Sequence, residues 1–75
     1  MDTWQPEAGE AIQGELELEE DRPVIRTEDG TVWRLPDEAA DRVRELEPEK
    51  GRRVVVLYQG RDPGAGIGLY SVATP

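Results

Sequence analysis

The sequence predicts a mostly β fold: a small five-stranded barrel with one helix between its third and fourth strands. Three observations carry that expectation. Residues 11–20 alternate between apolar and polar, mostly acidic, positions with a period of two. An Asp29-Gly30 pair separates two β-branched runs. One stretch of helical periodicity lies between those runs and a valine-rich segment.

The first strand covers residues 11–20. Ile12, Gly14, Leu16 and Leu18 share one face, and Gln13, Glu15, Glu17 and Glu19 the other. Period two with one apolar face is the pattern of a half-buried strand. A one-residue slip would turn the glutamates into the core, so the register is pinned. Gly14 inside the strand predicts a bulge or a sharp bend. Same-face positions on a strand stand nearly ~7 Å apart, so the three glutamates do not converge on one cation and read as a solvated face.

Glu20-Asp21-Arg22 is a polar turn. A hairpin follows from Pro23 to Leu35. Asp-Gly between β-branched runs is a strong hairpin signal, and Gly30 has no Cβ to resist the positive φ of a tight turn. Pro23 opens the first arm, where a missing N–H does least harm, and Pro36 ends the second. With Ile25, Trp33 and Leu35 placed inside, Val24, Arg26, Val32 and Arg34 fall together on the outer face. Two apolar and two basic side chains on an acidic protein make a candidate binding face.

Pro36-Asp37 begins a helix of about three turns, ending before Pro48. Ala39, Ala40, Val43 and Leu46 form its apolar stripe. Asp37, Glu38 and Asp41 lie toward its N-terminus, where the helix dipole favours acids. Gly51 then reverses the chain. Residues 52–59 hold the strongest strand, Val54-Val55-Val56-Leu57-Tyr58. Alternation turns Val54 and Val56 inward, so Val55 and Leu57 point out as a candidate association face. Residues 60–66 form a glycine-rich connection. It lacks the Gly-Lys-Ser/Thr of a phosphate loop and no helix follows it. Residues 67–72 are the last strand. Residues 1–10 read as a flexible or loosely docked tail ahead of a single domain spanning 11–75. Trp4 in that tail reads either as a plug over one barrel end or as an exposed partner anchor.

Three strands, a helix and two strands, with a long first strand that bends, describe the OB-fold. A different small β-barrel of SH3 type is the alternative, and the helix argues against it. The segment Gly14 to Val72 also resembles small bacterial OB-like proteins of unknown function. The matching residues are Gly14-x-Leu16-x-Leu18, Ile25-x-Thr27-x-Asp29-Gly30, Trp33-x-Leu35 and Gly51-Arg52-Arg53-Val54-Val55-Val56. These are turn and core motifs, so the resemblance implies a fold and no chemistry. The fourth strand departs from that pattern by running through Leu57-Tyr58-Gln59 to Gly60.

Composition narrows function by exclusion. The 75 residues contain no histidine and no cysteine. That removes the commonest general base, the commonest transition-metal ligand, any thiolate and any disulfide. The acids lie on exposed positions, whereas acid–base catalysis needs a carboxyl raised by burial. No catalytic, cofactor-binding or metal-ligating set is expected. No apolar run approaches the ~18 residues that span a membrane, and residues 1–4 lack the features of a signal peptide, so a cytoplasmic location is the expectation. Seventeen acids face nine bases, for a net charge of −8. Such a field repels phosphate, which weighs against nucleic acid and anionic membranes. It fits an ordinary acidic surface, adaptation to a high-salt cytoplasm, or a basic partner. The leading expectation is a protein-interaction or accessory module that binds a protein partner or itself. Single-stranded nucleic-acid binding is the alternative, because an OB-fold with stacking aromatics commonly serves it.

Overall fold

A computed structural model describes residues 2–46 and 51–74. The elements in chain order are β1 (Asp2–Thr3), β2 (Ala11–Glu19), β3 (Arg22–Arg26), β4 (Val32–Arg34), α1 (Asp37–Leu46), β5 (Arg53–Arg61) and β6 (Gly68–Ala73). The strands form one open six-stranded sheet in the order β1-β4-β3-β2-β5-β6. All pairings are antiparallel except β1 with β4. The sheet leaves β1 and β6 as its two ends, so no ladder closes it into a barrel.

The long strand β2 is the pivot. Ala11–Glu15 pair with Leu57–Arg53 of β5, while Glu15–Glu19 pair with Arg26–Arg22 of β3. The exchange of partners happens at Gly14 to Leu16. Gly14 is buried and sits in regular register opposite Val54, so it is not a bulge. It marks a close crossing instead. A Cβ there would fall onto the Arg26 carbonyl and 2.8 Å from Ile25 Cγ2. The ladder irregularity lies on β5, between Tyr58 and Gly60.

The β2–β3 and β3–β4 turns use positive φ, which tight hairpin connections commonly require. Gly30 takes φ 86°, with Thr27 N–H bonded to the Thr31 carbonyl at 2.9 Å. Glu20 and Asp21 take φ 50° and 68° in a two-residue turn between β2 and β3. These are side-chain-bearing residues in the left-handed region, a conformation Asp tolerates better than Glu.

The core gathers Ile12 and Leu16 of β2, Ile25 of β3, Leu35, the helix stripe Ala39, Ala40 and Val43, Val54 and Val56 of β5, and Tyr70 of β6. Helix α1 packs on β6 and β3. Two residues assigned to the core by periodicity are surface residues. Leu18 is half exposed, because β2 has no β5 neighbour beyond its middle. Leu46, the last helical residue, is 59% exposed. The expected stop at Pro48 lies outside the described residues. Trp33 is half-buried against the core, and the expected inward placement of Ile25 and Leu35 is seen.

Residues 2–10, expected as a flexible or loosely docked tail, touch the sheet at both of their ends. Asp2 and Thr3 pair with Trp33 and Arg34, and Trp4 N–H bonds to the Arg34 carbonyl at 2.8 Å. Gly9 and Glu10 exchange backbone bonds with Tyr58. The Trp4 ring packs 6.2 Å from the Tyr70 ring, centroid to centroid, so Trp4 links the strand at one end of the sheet to the strand at the other. No helix among the described residues is long and apolar enough to cross a membrane.

Candidate functional site

The outer face of the sheet, opposite the core, is divided into a charged half and an apolar half. Register shows why. Glu15, Glu17 and Glu19 of β2 lie opposite Arg26, Val24 and Arg22 of β3. Val24 and Arg26 in turn lie opposite Arg34 and Val32 of β4. The four residues Val24, Arg26, Val32 and Arg34 therefore share one face, as alternation predicts.

They do not form an open basic–apolar patch. Arg26 Nε lies 2.8 Å from Glu17, and Arg34 lies 3.0 Å from Glu19. The second pair reaches from β4 to β2 across β3, beside Val24. Val24 is only 3% exposed, although it faces away from the core. Long charged side chains bury their aliphatic stems along apolar surface and keep their heads in water, and here they roof a valine. Val32 stays half-buried. Arg53 pairs with Glu28, and Arg22 meets Asp37 at 2.5 Å. Every arginine of β3, β4 and β5 that the outer face presents near β2 thus meets a carboxylate. Exposed pairs of this kind contribute only about 0–1 kcal/mol each.

The apolar half lies on β5 and β6. Val55 and Leu57 face outward and are half-buried. Their lateral neighbours are Gln13 and Ala11 on one side and Ala73 and Ser71 on the other. Leu69 continues the strip at 41% exposure. No charged side chain belongs to this strip, in a chain where 35% of residues are charged.

Three of the four aromatic residues pack on one another. Tyr58 and Tyr70 pack at 5.0 Å with a 34° tilt, and Trp4 packs on Tyr70 at 6.2 Å with a 57° tilt. Burial pushes the Tyr70 phenol above its ordinary range, with Tyr58 and Glu38 adding to the shift. The Asp29 carboxylate is held below its ordinary range by the Thr27 hydroxyl and the Thr31 N–H at the hairpin turn. Asp29 is fully exposed and serves the turn.

One more feature was not legible as a site. A groove runs between α1 and β6, with Glu38, Asp41, Arg42, Ile67, Leu69 and Ser71 among its lining. At its start the Gly68 N–H donates to the Glu38 carboxylate. The uncharged run Gly68–Ala73 was the only sequence signal for it. No protein-family model, curated protein or solved structure matches this chain.

Proposed function

We propose that the chain is a small OB-like module that works by contacting other proteins, with Val55 and Leu57 at the centre of its contact face. The observation that carries this reading is the split of the outer face. Its arginines Arg22, Arg26, Arg34 and Arg53 pair with carboxylates, and beside them lies an uncharged strip of Val55, Leu57, Leu69 and Ala73. Contiguous apolar surface of this kind marks interaction sites. The OB-like reading is supported by the strand order β4-β3-β2-β5-β6, by the exchange of partners midway along β2, and by the helix between β4 and β5. These relations fit a five-stranded OB barrel opened along one seam, with β1 and Trp4 at that seam.

The competing reading is single-stranded nucleic acid. It needs a positive groove and outward stacking rings. Here Arg26 and Arg34 are paired, Trp33 is half-buried, and the net charge is −8. A mixed single-stranded oligonucleotide titrated at low salt separates the two. The amide spectrum stays unchanged if the module binds protein. Shifts clustered on Arg26, Val32, Trp33 and Arg34 would transfer the function to nucleic acid. Self-association is checked separately by sedimentation over a concentration series. Leu57→Glu lowers any self-association while leaving the fold intact, and a monomeric mass at every concentration restricts the reading to a different partner.

A further inference from the structure

The β6 end of the sheet, against which α1 and the Trp4 ring pack, still presents a backbone edge as a second interaction surface. Natural edge strands are blunted by charge, proline, bulges or covering elements. Strand β6 reads Gly-Leu-Tyr-Ser-Val-Ala, with no charge and no proline, and the irregularity of the β5–β6 ladder lies on β5. The Gly68 N–H points away from β5, since it donates to Glu38 on α1. Strand geometry then directs the N–H and C=O groups of Tyr70 and Val72 to the same outer edge, because these directions repeat every second residue. Among the described residues no loop or helix backbone group bonds to Tyr70 or Val72.

The groove beside this edge has a definite chemistry. Ile67 and Leu69 are 49% and 41% exposed and supply apolar surface at its mouth. The opposite wall is α1. Its Arg42 is turned to Glu45 at 2.9 Å, and its Asp41 to Arg44 at 3.1 Å. Glu38 makes no ion pair among the described residues, although Arg61 stands opposite Gly68 in the ladder, and its carboxylate accepts a bond that a neighbouring strand would normally accept. A groove between an edge strand and a helix accepts extended peptides by strand addition, with main-chain bonds supplying affinity and alternate side chains supplying specificity.

From this charge complementarity we infer that the β6 edge takes an extended peptide segment of a partner protein, alternating apolar and basic residues, with a basic side chain set against Glu38. The apolar residues cover Leu69 and Ile67, while the segment's backbone pairs with Tyr70 and Val72. The net charge of −8 attracts such a segment and opposes a second copy of this chain. This inference rests on the reading of the chain as a protein-interaction module; it is centred on the β6 edge and Glu38 and shares only Leu69 with the strip around Val55 and Leu57.

The test uses three synthetic hexapeptides: alternating Arg-Val, the same sequence N-methylated at every second residue, and alternating Glu-Val. Amide shifts and hydrogen exchange of the intact protein are followed at fixed salt. The Arg-Val peptide is expected to shift Gly68, Tyr70 and Val72 and to slow exchange at Tyr70 and Val72 about tenfold, as new backbone bonds do. The N-methylated and Glu-Val peptides should do neither. Glu38→Gln is expected to weaken the Arg-Val peptide about two- to fivefold, the range of an exposed ion pair. Equal shifts with the N-methylated peptide would reduce the effect to charge and sink strand addition. Concentration-dependent protection of Tyr70 and Val72 without peptide would assign the edge to a second copy and overturn the basic-segment reading. No response to any peptide also overturns this inference, and it leaves the Val55–Leu57 reading standing unless the oligonucleotide titration shifts Arg26 and Arg34.

Discussion

The Arg34 guanidinium sits 3.0 Å from the Glu19 carboxylate, although β3 separates their strands. The pair crosses β3 beside Val24, the residue directly opposite Arg34 in the ladder. That geometry explains how a valine on the outer face is 3% exposed. It also ties the arginines of this half of the face to glutamates. Val24→Ala is expected to cost about 2 kcal/mol, the loss for truncating a buried valine. Val32→Ala, at a half-buried position on the same face, should cost under about 1 kcal/mol. Urea unfolding of both variants checks the contrast, and equal losses would mean that Val24 is not covered in solution.

Alternation made the face of each residue legible and left its burial undetermined. Val24, Arg26, Val32 and Arg34 share a face as period two requires. Whether Val24 is wet depends on where two long side chains from other strands lie, which no local pattern encodes. Leu18 fails for a related reason. Its side chain points to the core side, but β2 has lost its β5 neighbour by that point, so little core remains to receive it. Strand β1 was not legible because two residues have no periodicity. Only Trp4 hinted that the N-terminal segment packs. The groove beside β6 shows in the sequence merely as six uncharged residues, and its meaning depends on β6 being the end of the sheet.

Gly14 separates a bend requirement from a space requirement. Gly14→Ala is expected to destabilise by about 1–3 kcal/mol, the range for overpacking, because the new methyl meets the Arg26 backbone. The backbone cannot yield as a flexible side chain would. A neutral result in urea unfolding would show that β2 and β3 separate freely at the crossing.

The Glu20–Asp21 turn is a place to gain stability. Both residues hold positive φ without being glycine. Replacing the pair by Glu20→Asn with Asp21→Gly supplies the dipeptide that two-residue hairpins favour. The double variant is expected to be about 1 kcal/mol more stable, with unchanged cross-strand contacts between β2 and β3 in amide NMR. A loss of stability would mean that the wild-type carboxylates make contacts worth more than the strain.

Asp29 supplies an acid-limb prediction. Its folded carboxyl lies below the ordinary 3.8, chiefly through the Thr27 hydroxyl and then the Thr31 N–H. A depressed carboxylate stabilises the fold above its unfolded value, and that contribution disappears as pH falls through the folded value. The stability difference between wild type and Asp29→Asn should therefore be constant near neutrality and shrink below about pH 4. A carboxyl titration of Asp29 by NMR checks the direction, and a midpoint at or above 3.8 contradicts it.

Tyr70 supplies the alkaline counterpart and tests the seam as well. Burial is the first cause of its raised value, followed by Tyr58 and Glu38. The folded phenol ionises above 10.0, so the unfolded chain loses its proton first as pH rises. The stabilising contribution is complete below the unfolded value and is lost as pH climbs through the folded one. Trp4 covers one side of that ring at 6.2 Å. Trp4→Ala removes an aromatic pair worth about 0.5–1.5 kcal/mol beyond its buried area, and it wets Tyr70. Two changes are expected together: lower stability at neutral pH, and a Tyr70 titration moved back toward 10.0 in an ultraviolet difference titration. An unchanged Tyr70 titration would mean that the N-terminal segment does not rest on β6, and the two ends of the sheet would then be independent of each other.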